Sequence, residues 1–241
     1  MSTTNGVLRV GAAFPDPPFE VSSHPPSGLD HDLTRAIARE LRLTWELRRY
    51  TGADFDGIFA GLGARYDIVA SGATITDHRQ DLARWCEPYL RSGQSLTVDA
   101  DRTPAVRSTD DLTGLVLGVQ NGNTSEPVAR GLQADGKVHD VKVYAYDEIL
   151  VALDDLESGT IGAFMKLEPV MRWLTAMRPS LQVVETGITT ERIAVAVALA
   201  DERLAAAIDR ALATMRRQGT LAEIGARWLH GSDPAATEMA T

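Results

Sequence analysis

The sequence predicts an α/β protein of two lobes built on mainly parallel sheets. Three observations carry that reading. Strand-like and helix-like segments alternate along the chain, which is the grammar of parallel sheets with crossover helices. The segment "YDIVAS" is apolar on both faces, as strands covered by helices on each side are. The grammar also restarts after "EPYLRSGQSLTV", so two successive units share the 241 residues.

The elements follow in order. "VLRVGAA" (Val7 to Ala13) reads as a strand and "PDPPFEVSSHPPSG" as a proline-rich loop. The next helix places Leu29, Leu33, Ala36, Ile37 and Leu41 on one stripe, with Asp30 or Asp32 as its cap. "LTWELRRY" is a strand, "ADFDGIFAGLGARY" carries a short helix, and "YDIVAS" is the third strand. In the second unit "GLVLGVQ", "VKVYAY" and "TIGAFMK" are strands. "GNTSEPVARGL" turns into a helix, and Asp147 caps another that Gly159 stops. Pro169 suits a first helical position. "LQVVE" and "RIAVAVAL" are strands. Two helices follow; Leu204, Ile208, Leu212 and Met215 form the first stripe, Gly219 ends it, and Thr220 with Glu223 makes a capping-box pattern.

Composition narrows the function classes. A formal charge of -9 argues against a nucleic-acid groove or an anionic membrane surface, both of which need a basic face. Cys86 is the single cysteine, so no internal disulfide forms. "IAVAVALA" is too short to span a membrane, and "MSTTNGVLRV" has no basic flank before an apolar core, so no secretion signal is read there. "GLQADGKV" has phosphate-loop spacing but ends in Val138, where a hydroxyl is needed, and follows a helix; it reads as a surface turn. "GLGARY" lacks the third glycine of a dinucleotide fingerprint. His24, His31, His78, His139 and His230 are scattered without cysteine partners, so neither a metal nor a cofactor is expected.

The stretch "DIVASGATITDHR" concentrates the chemistry. In parallel α/β sheets ligands meet the loops at the C-terminal ends of strands, where Ser71, Gly72, Ala73 and Thr74 fall. Asp77 reads as a helix cap, which puts Arg79 in a first turn. A cation there gives up about 0.3–1 kcal/mol, so something negative is expected to compensate it. A ligand carboxylate fits the planar fork of the guanidinium, with Thr74 adding a hydroxyl and Gly72 allowing close backbone approach. The structural alternative is a surface pair with Asp77 or Glu87. "GVQNGNTSEP" repeats the arrangement in the second unit, where a strand crosses Gly122 and opens a helix at Thr124 or Ser125.

These residues resemble the extracytoplasmic solute-binding proteins of amino-acid ABC importers, family 3, with the type II periplasmic-binding fold. The resemblance spans nearly the whole chain, through "VLRVGAAFPDPPFE", "GLDHDLTRAIARELRL", "DFDGIFAGL", "DIVASGATITDHR", "WCEPYLRSGQSL", "LGVQNGNTSE" and "GTLAEIGARWL". It implies two lobes joined by crossing strands near Gly93 to Val98 and Thr189 to Val195, with residues 1–96 plus 192–241 in lobe one and 97–191 in lobe two. Ligand would lie between them, and binding would close the hinge. It implies that Arg79 clamps a ligand carboxylate, helped by Thr74 and Thr124, that Ser71 and Gly72 make contacts, that Phe55 forms an apolar wall, and that Gln120 varies with ligand. The residue types alone read Phe55 as core.

The chain departs from the family where an amine would be held. The acids usual at the end of the first strand and after "IGAFMK" are here Ala13 and Leu167. The usual aromatic before "PPF" is Asp16, with Phe14 two residues earlier. An ammonium left without a counter-charge costs several kcal/mol. The solute therefore either lacks an ordinary α-amine, the preferred reading, or is held by a displaced acid, Asp16 or Glu168; anions could meet Lys166.

The function expected is a non-enzymatic binding protein, a monomer, that hands a small carboxylate to an ABC permease. The runner-up is a cyclohexadienyl dehydratase-like enzyme using Glu168 or Asp16 as its acid, weakened by Val170 at the aligned acidic position. A ligand-sensing domain is the third reading. Localisation is extracytoplasmic if a leader has been removed and cytoplasmic if Met1 is native.

Overall fold

Strand β1 (Val7–Ala13) begins a five-stranded sheet in a computed structural model that describes residues 6–240. Residues 1–5 and 241, which the expected lobe boundaries and the N-terminal signal reading include, lie outside the described residues. Helix α1 (Leu29–Glu40) returns the chain to β2 (Thr44–Tyr50), and a 3-10 turn (Asp56–Gly61) leads to the short β3 (Ile68–Val69). Both β2 and β3 run parallel to β1. Leu29, Leu33, Ala36 and Ile37 are buried in the first core, so the predicted stripe of α1 is the face it presents to the sheet. Helix α2 (Asp77–Gln80) and β4 (Arg84–Trp85) complete this part.

The chain then crosses. Strand β5 (Leu90–Ser92) runs straight into β6 (Gln94–Asp99) of a second five-stranded sheet. There β7 (Val116–Gln120), helix α3 (Ser125–Ala134), β8 (Asp140–Tyr144), helix α4 (Ile149–Ser158) and β9 (Ala163–Leu167) follow the predicted alternation. Strand β7 is parallel to β8 and β9. Helix α5 (Glu168–Thr175) begins with Pro169 in its first turn, and β10 (Leu181–Glu185) pairs antiparallel with β6. Strand β11 (Glu191–Ile193) returns antiparallel to β5, and β12 (Ala196–Val197) rejoins the first sheet between β3 and β4. Helices α6 (Glu202–Gln218) and α7 (Thr220–Trp228) pack on α1, and β13 (Glu238–Met239) adds to β5. The first sheet thus takes strands from both ends of the chain, in the order β2-β1-β3-β12-β4; the second runs β10-β6-β9-β7-β8.

Several local expectations are corrected. "RIAVAVAL" is two strands in different sheets, because Ala194 N–H donates to the Ala73 carbonyl between them. Neither Asp30 nor Asp32 caps α1; Gly28 holds the cap position, and the Asp30 carboxylate accepts instead from the Gly72 N–H at 2.7 Å. Thr76, not Asp77, caps α2 by accepting from the Arg79 N–H. Asp147 caps nothing; Glu148 reaches back to the Ala145 N–H. Gly219 ends α6 and directly precedes α7, leaving no room for the Thr220 box. The closing β13 was not expected from two-residue strand propensity.

Candidate interlobe binding site

Two loops bring the sheets together. The turn Asp54–Phe55–Asp56 of the first meets Asn121–Gly122 of the second: the Phe55 N–H donates to the Asn121 carbonyl, and the Tyr146 N–H to the Ala53 carbonyl. Gly122 has a positive φ of 74°, and a Cβ on it would stand 2.0 Å from Asp54 Oδ1. Only a glycine lets the two backbones meet this closely.

Arg79 is buried in this junction and spans it. Its Nη2 donates to the Gly122 carbonyl at 2.8 Å, its Nη1 to the Thr74 carbonyl at 3.0 Å, and its Nε to Asp56 Oδ1 at 2.7 Å. The guanidinium carbon lies 4.9 Å from the Phe55 ring centroid and 5.6 Å from that of Phe59. The negative partner expected for Arg79 is therefore supplied by the chain: Asp56, rather than Asp77 or Glu87. A cavity of about 330 Å³ opens beside it, lined by Asp56, Thr76, Arg79, Gly122, Thr124 and Glu126 among others.

Thr74 and Thr124 do converge from the two lobes, and what they converge on is Glu191. The Thr74 hydroxyl donates to its Oε2 at 2.5 Å, and the Thr124 hydroxyl lies 2.9 Å from the same oxygen and 3.0 Å from Oε1. Gln94 Nε2 and the Thr189 hydroxyl each reach Oε1 at 2.8 Å. Glu191 was missed in the sequence because it lies in the return strand, far from either loop.

The remaining candidates divide. Ser71 exchanges hydrogen bonds with Ala13, accepting from its N–H at 3.0 Å. Gly72, at φ +56°, sits under the Phe19 ring, 2.9 Å from where a Cβ would be. Phe55 is both buried core and a surface for Arg79, packed on Tyr146 and Phe59. Gln120 is fully buried and spends its amide on the Tyr146 carbonyl and Asn123. Phe14 lies under the Arg49 guanidinium and meets the His31 ring edge-on. Leu167 is packed in the hydrophobic core.

Asp16 forms a second centre. Its Oδ1 lies 2.9 Å from Lys166 Nζ, and both side chains are almost wholly buried, 4% and 2% exposed. Lys166 Nζ also stands 5.1 Å from the Tyr146 ring centroid. Glu20 and Asp30 complete the group. Burial, together with Asp30 and Asp16 nearby, pushes the Glu20 carboxyl well above the usual range. Burial raises Asp30 to about 7, against the opposing influence of the nearby Tyr89 hydroxyl and the bond from the Gly72 N–H. Glu168, the other displaced-acid candidate, is elsewhere: its oxygens accept from Arg172 Nε, the Asp233 N–H and the Thr237 hydroxyl. A larger cavity of about 530 Å³ on the outer face, among Arg35, Trp45 and Arg227, touches none of these residues.

A family model described as bacterial extracellular solute-binding proteins, family 3, matches residues 8–231. ABC transporter arginine-binding protein 1 of Escherichia coli (strain K12) is 26% identical over 230 residues, covering 92% of this chain and 90% of its own. An ancestral arginine-binding protein solved with arginine superposes with a TM-score of 0.84 at 31% identity, over 92% of this chain and 98% of that one. The ancestral amino acid-binding protein AncCDT-1, a precursor of cyclohexadienyl dehydratase, superposes with a TM-score of 0.82 at 28% identity, over 93% and 96%.

Proposed function

We propose, for a chain that belongs to the bacterial extracellular solute-binding proteins, family 3, that it binds a small carboxylate-bearing solute, an amino acid or a derivative, between its lobes and delivers it to an ABC importer. The observation that carries the reading is the buried Arg79, which reaches from one lobe to the Gly122 carbonyl of the other while Thr74 and Thr124 converge beside it. In this closed arrangement the protein's own carboxylates, Asp56 and Glu191, hold those donors. A solute carboxylate takes the outer side of the guanidinium fork, where the cavity beside Arg79 opens.

The lobes are taken as 1–96 plus 192–241 and 97–191, moving about β5 and β11. The protein acts extracytoplasmically, as a monomer presenting its closed face to the permease. No helix among the described residues is long and apolar enough to cross a membrane.

Calorimetric titration with amino acids, imino acids, betaines and small organic acids tests the reading. Arg79→Ala is expected to remove about 2–5 kcal/mol of binding, the cost of truncating one partner of a buried charged contact. A solute held equally well by the variant would overturn it. The two acids the dehydratase reading names are both engaged: Glu168 is held by three donors and Asp16 by Lys166. Phenylpyruvate appearing on incubation with prephenate would reinstate it.

A further inference from the structure

The group around Lys166 has an unusual charge balance. Asp16, Glu20 and Asp30 are buried together at the lobe junction, and one ammonium faces them. Both Glu20 oxygens, one Asp30 oxygen and the hydroxyls of Tyr89 and Tyr146 are buried and have no hydrogen-bond partner among the described residues. Among those residues no three His, Cys, Asp or Glu side chains are placed to hold a metal ion. What the walls offer is a carboxylate within ion-pair distance, an aromatic face about 5 Å away and further acceptors. That combination suits an alkylammonium.

The ammonium comes from lobe two and the carboxylates from lobe one. Lys166 lies on β9, Asp16 and Glu20 in the loop after β1, and Asp30 on α1. Lys166 therefore enters from across the cleft, as the amine of a bound solute would. It also stands next to Leu167 and faces Asp16, two of the positions where the chain lacks the side chains expected of an amine-binding relative.

We propose that Lys166 is a tethered occupant of the amine seat, a specificity-determining residue that makes the cleft select carboxylates without a free ammonium, such as 2-oxo, 2-hydroxy or N-acylated acids. This rests on the solute-binding reading for the ligand but not for the seat, which can be tested without any solute. A second ammonium would have to displace Lys166. That would strand a buried cation, because its replacement takes the partner Asp16.

The experiment has two arms. In the first, Lys166→Ala empties the seat, and n-butylammonium, the chemistry of the lysine side chain, is added to variant and native protein. Butylammonium is expected to raise the thermal midpoint of Lys166→Ala while leaving the native protein unmoved; n-butanol, of the same shape without charge, is expected to do neither. Equal rescue by butanol, or no rescue, overturns the seat. Should Lys166→Ala not fold, acetylation of the native protein followed by mass spectrometry decides the same point. Of the three lysines, Lys137 and Lys142 are exposed and Lys166 is buried. Lys166 is expected to be protected natively and to react in Asp16→Asn; reaction at the rate of the other two overturns the proposal. In the second arm, amino acids are titrated against their matching 2-oxo acids. The native protein is expected to prefer the oxo acid at least tenfold and Lys166→Ala to lose that preference. Preference of the native protein for the amino acid overturns the selectivity. Binding of neither counts against the solute-binding reading and leaves the first arm to judge the seat.

Discussion

Glu191 and Glu20 are both buried glutamates at the junction of the lobes, and the fold treats them oppositely. Glu191 receives two threonines from different lobes, a glutamine and a third threonine within 3.0 Å. Glu20 receives no hydrogen bond among the described residues and shares its surroundings with two more carboxylates and one lysine. A satisfied buried polar knot fixes geometry, whereas an unsatisfied one stores unfavourable free energy that a bound cation or proton relieves. The contrast assigns different work to the two centres. Glu191 ties the return strand to the Thr74 and Thr124 loops, and in the proposal above the Asp16–Lys166 centre decides which charges the cleft admits.

The sharpest way to break this contrast is to remove Asp16. Asp16→Ala leaves the Lys166 ammonium buried beside fewer counter-charges, and urea denaturation is expected to show a loss of about 3–5 kcal/mol. A loss below about 1 kcal/mol, typical of an exposed ion pair, would mean that the centre is hydrated. Next comes Glu191→Ala, which strips the acceptor from three hydroxyls and an amide. It should lower stability by about 2–3 kcal/mol, with Glu191→Gln milder because one carbonyl oxygen survives. If Glu191→Ala proved neutral, the knot would not be holding the strand.

Gly72→Ala is a smaller perturbation between the two centres. It forces a left-handed residue and presses a Cβ toward the Phe19 ring, for an expected cost of about 1–2 kcal/mol by the same assay. An unchanged midpoint would show that the loop relaxes.

The weakest effect is in pH dependence, where neighbours on α1 pull apart. Asp30 is raised to about 7 from an ordinary 3.8, so between those values the folded chain holds a proton that the unfolded chain releases. Its contribution to stability therefore falls as pH rises through that window. His31 is lowered to about 4 from 6.5, chiefly by burial, so there the unfolded chain holds the extra proton and stability rises with pH. Denaturation between pH 4.5 and 6.5 should show Asp30→Asn tilting the profile upward with pH and His31→Gln tilting it downward. Two parallel profiles would remove the assigned titrations.

Much of the architecture was legible because it depends on near neighbours in the chain. The α1 stripe, the parallel strands of both sheets, the α4 and α6 stops at Gly159 and Gly219 and the Pro169 helix start all follow from spacing and residue type. Asp30 failed as a cap because a short polar side chain has several backbone partners within reach, and it found a better one forty-two residues away at Gly72. That Arg79, Thr74 and Thr124 lie at the junction of the two lobes could be anticipated from loops that leave strands. The neighbours of Phe14, Arg49 and His31, could not be read from the chain because they lie on other elements. Glu191 gave no signal, because a glutamate in a short strand looks solvated.

By itself the sequence determined the periodicity, the order of the elements and the supply of charges at each strand end, since these are set by covalent neighbours and side-chain type. The tertiary structure alone decided which carboxylate answers which cation. Asp56 goes to Arg79 and Asp16 to Lys166. The physical reason is that a buried ion pair is chosen by distance in a medium of low dielectric constant, and that distance exists only once the lobes have met.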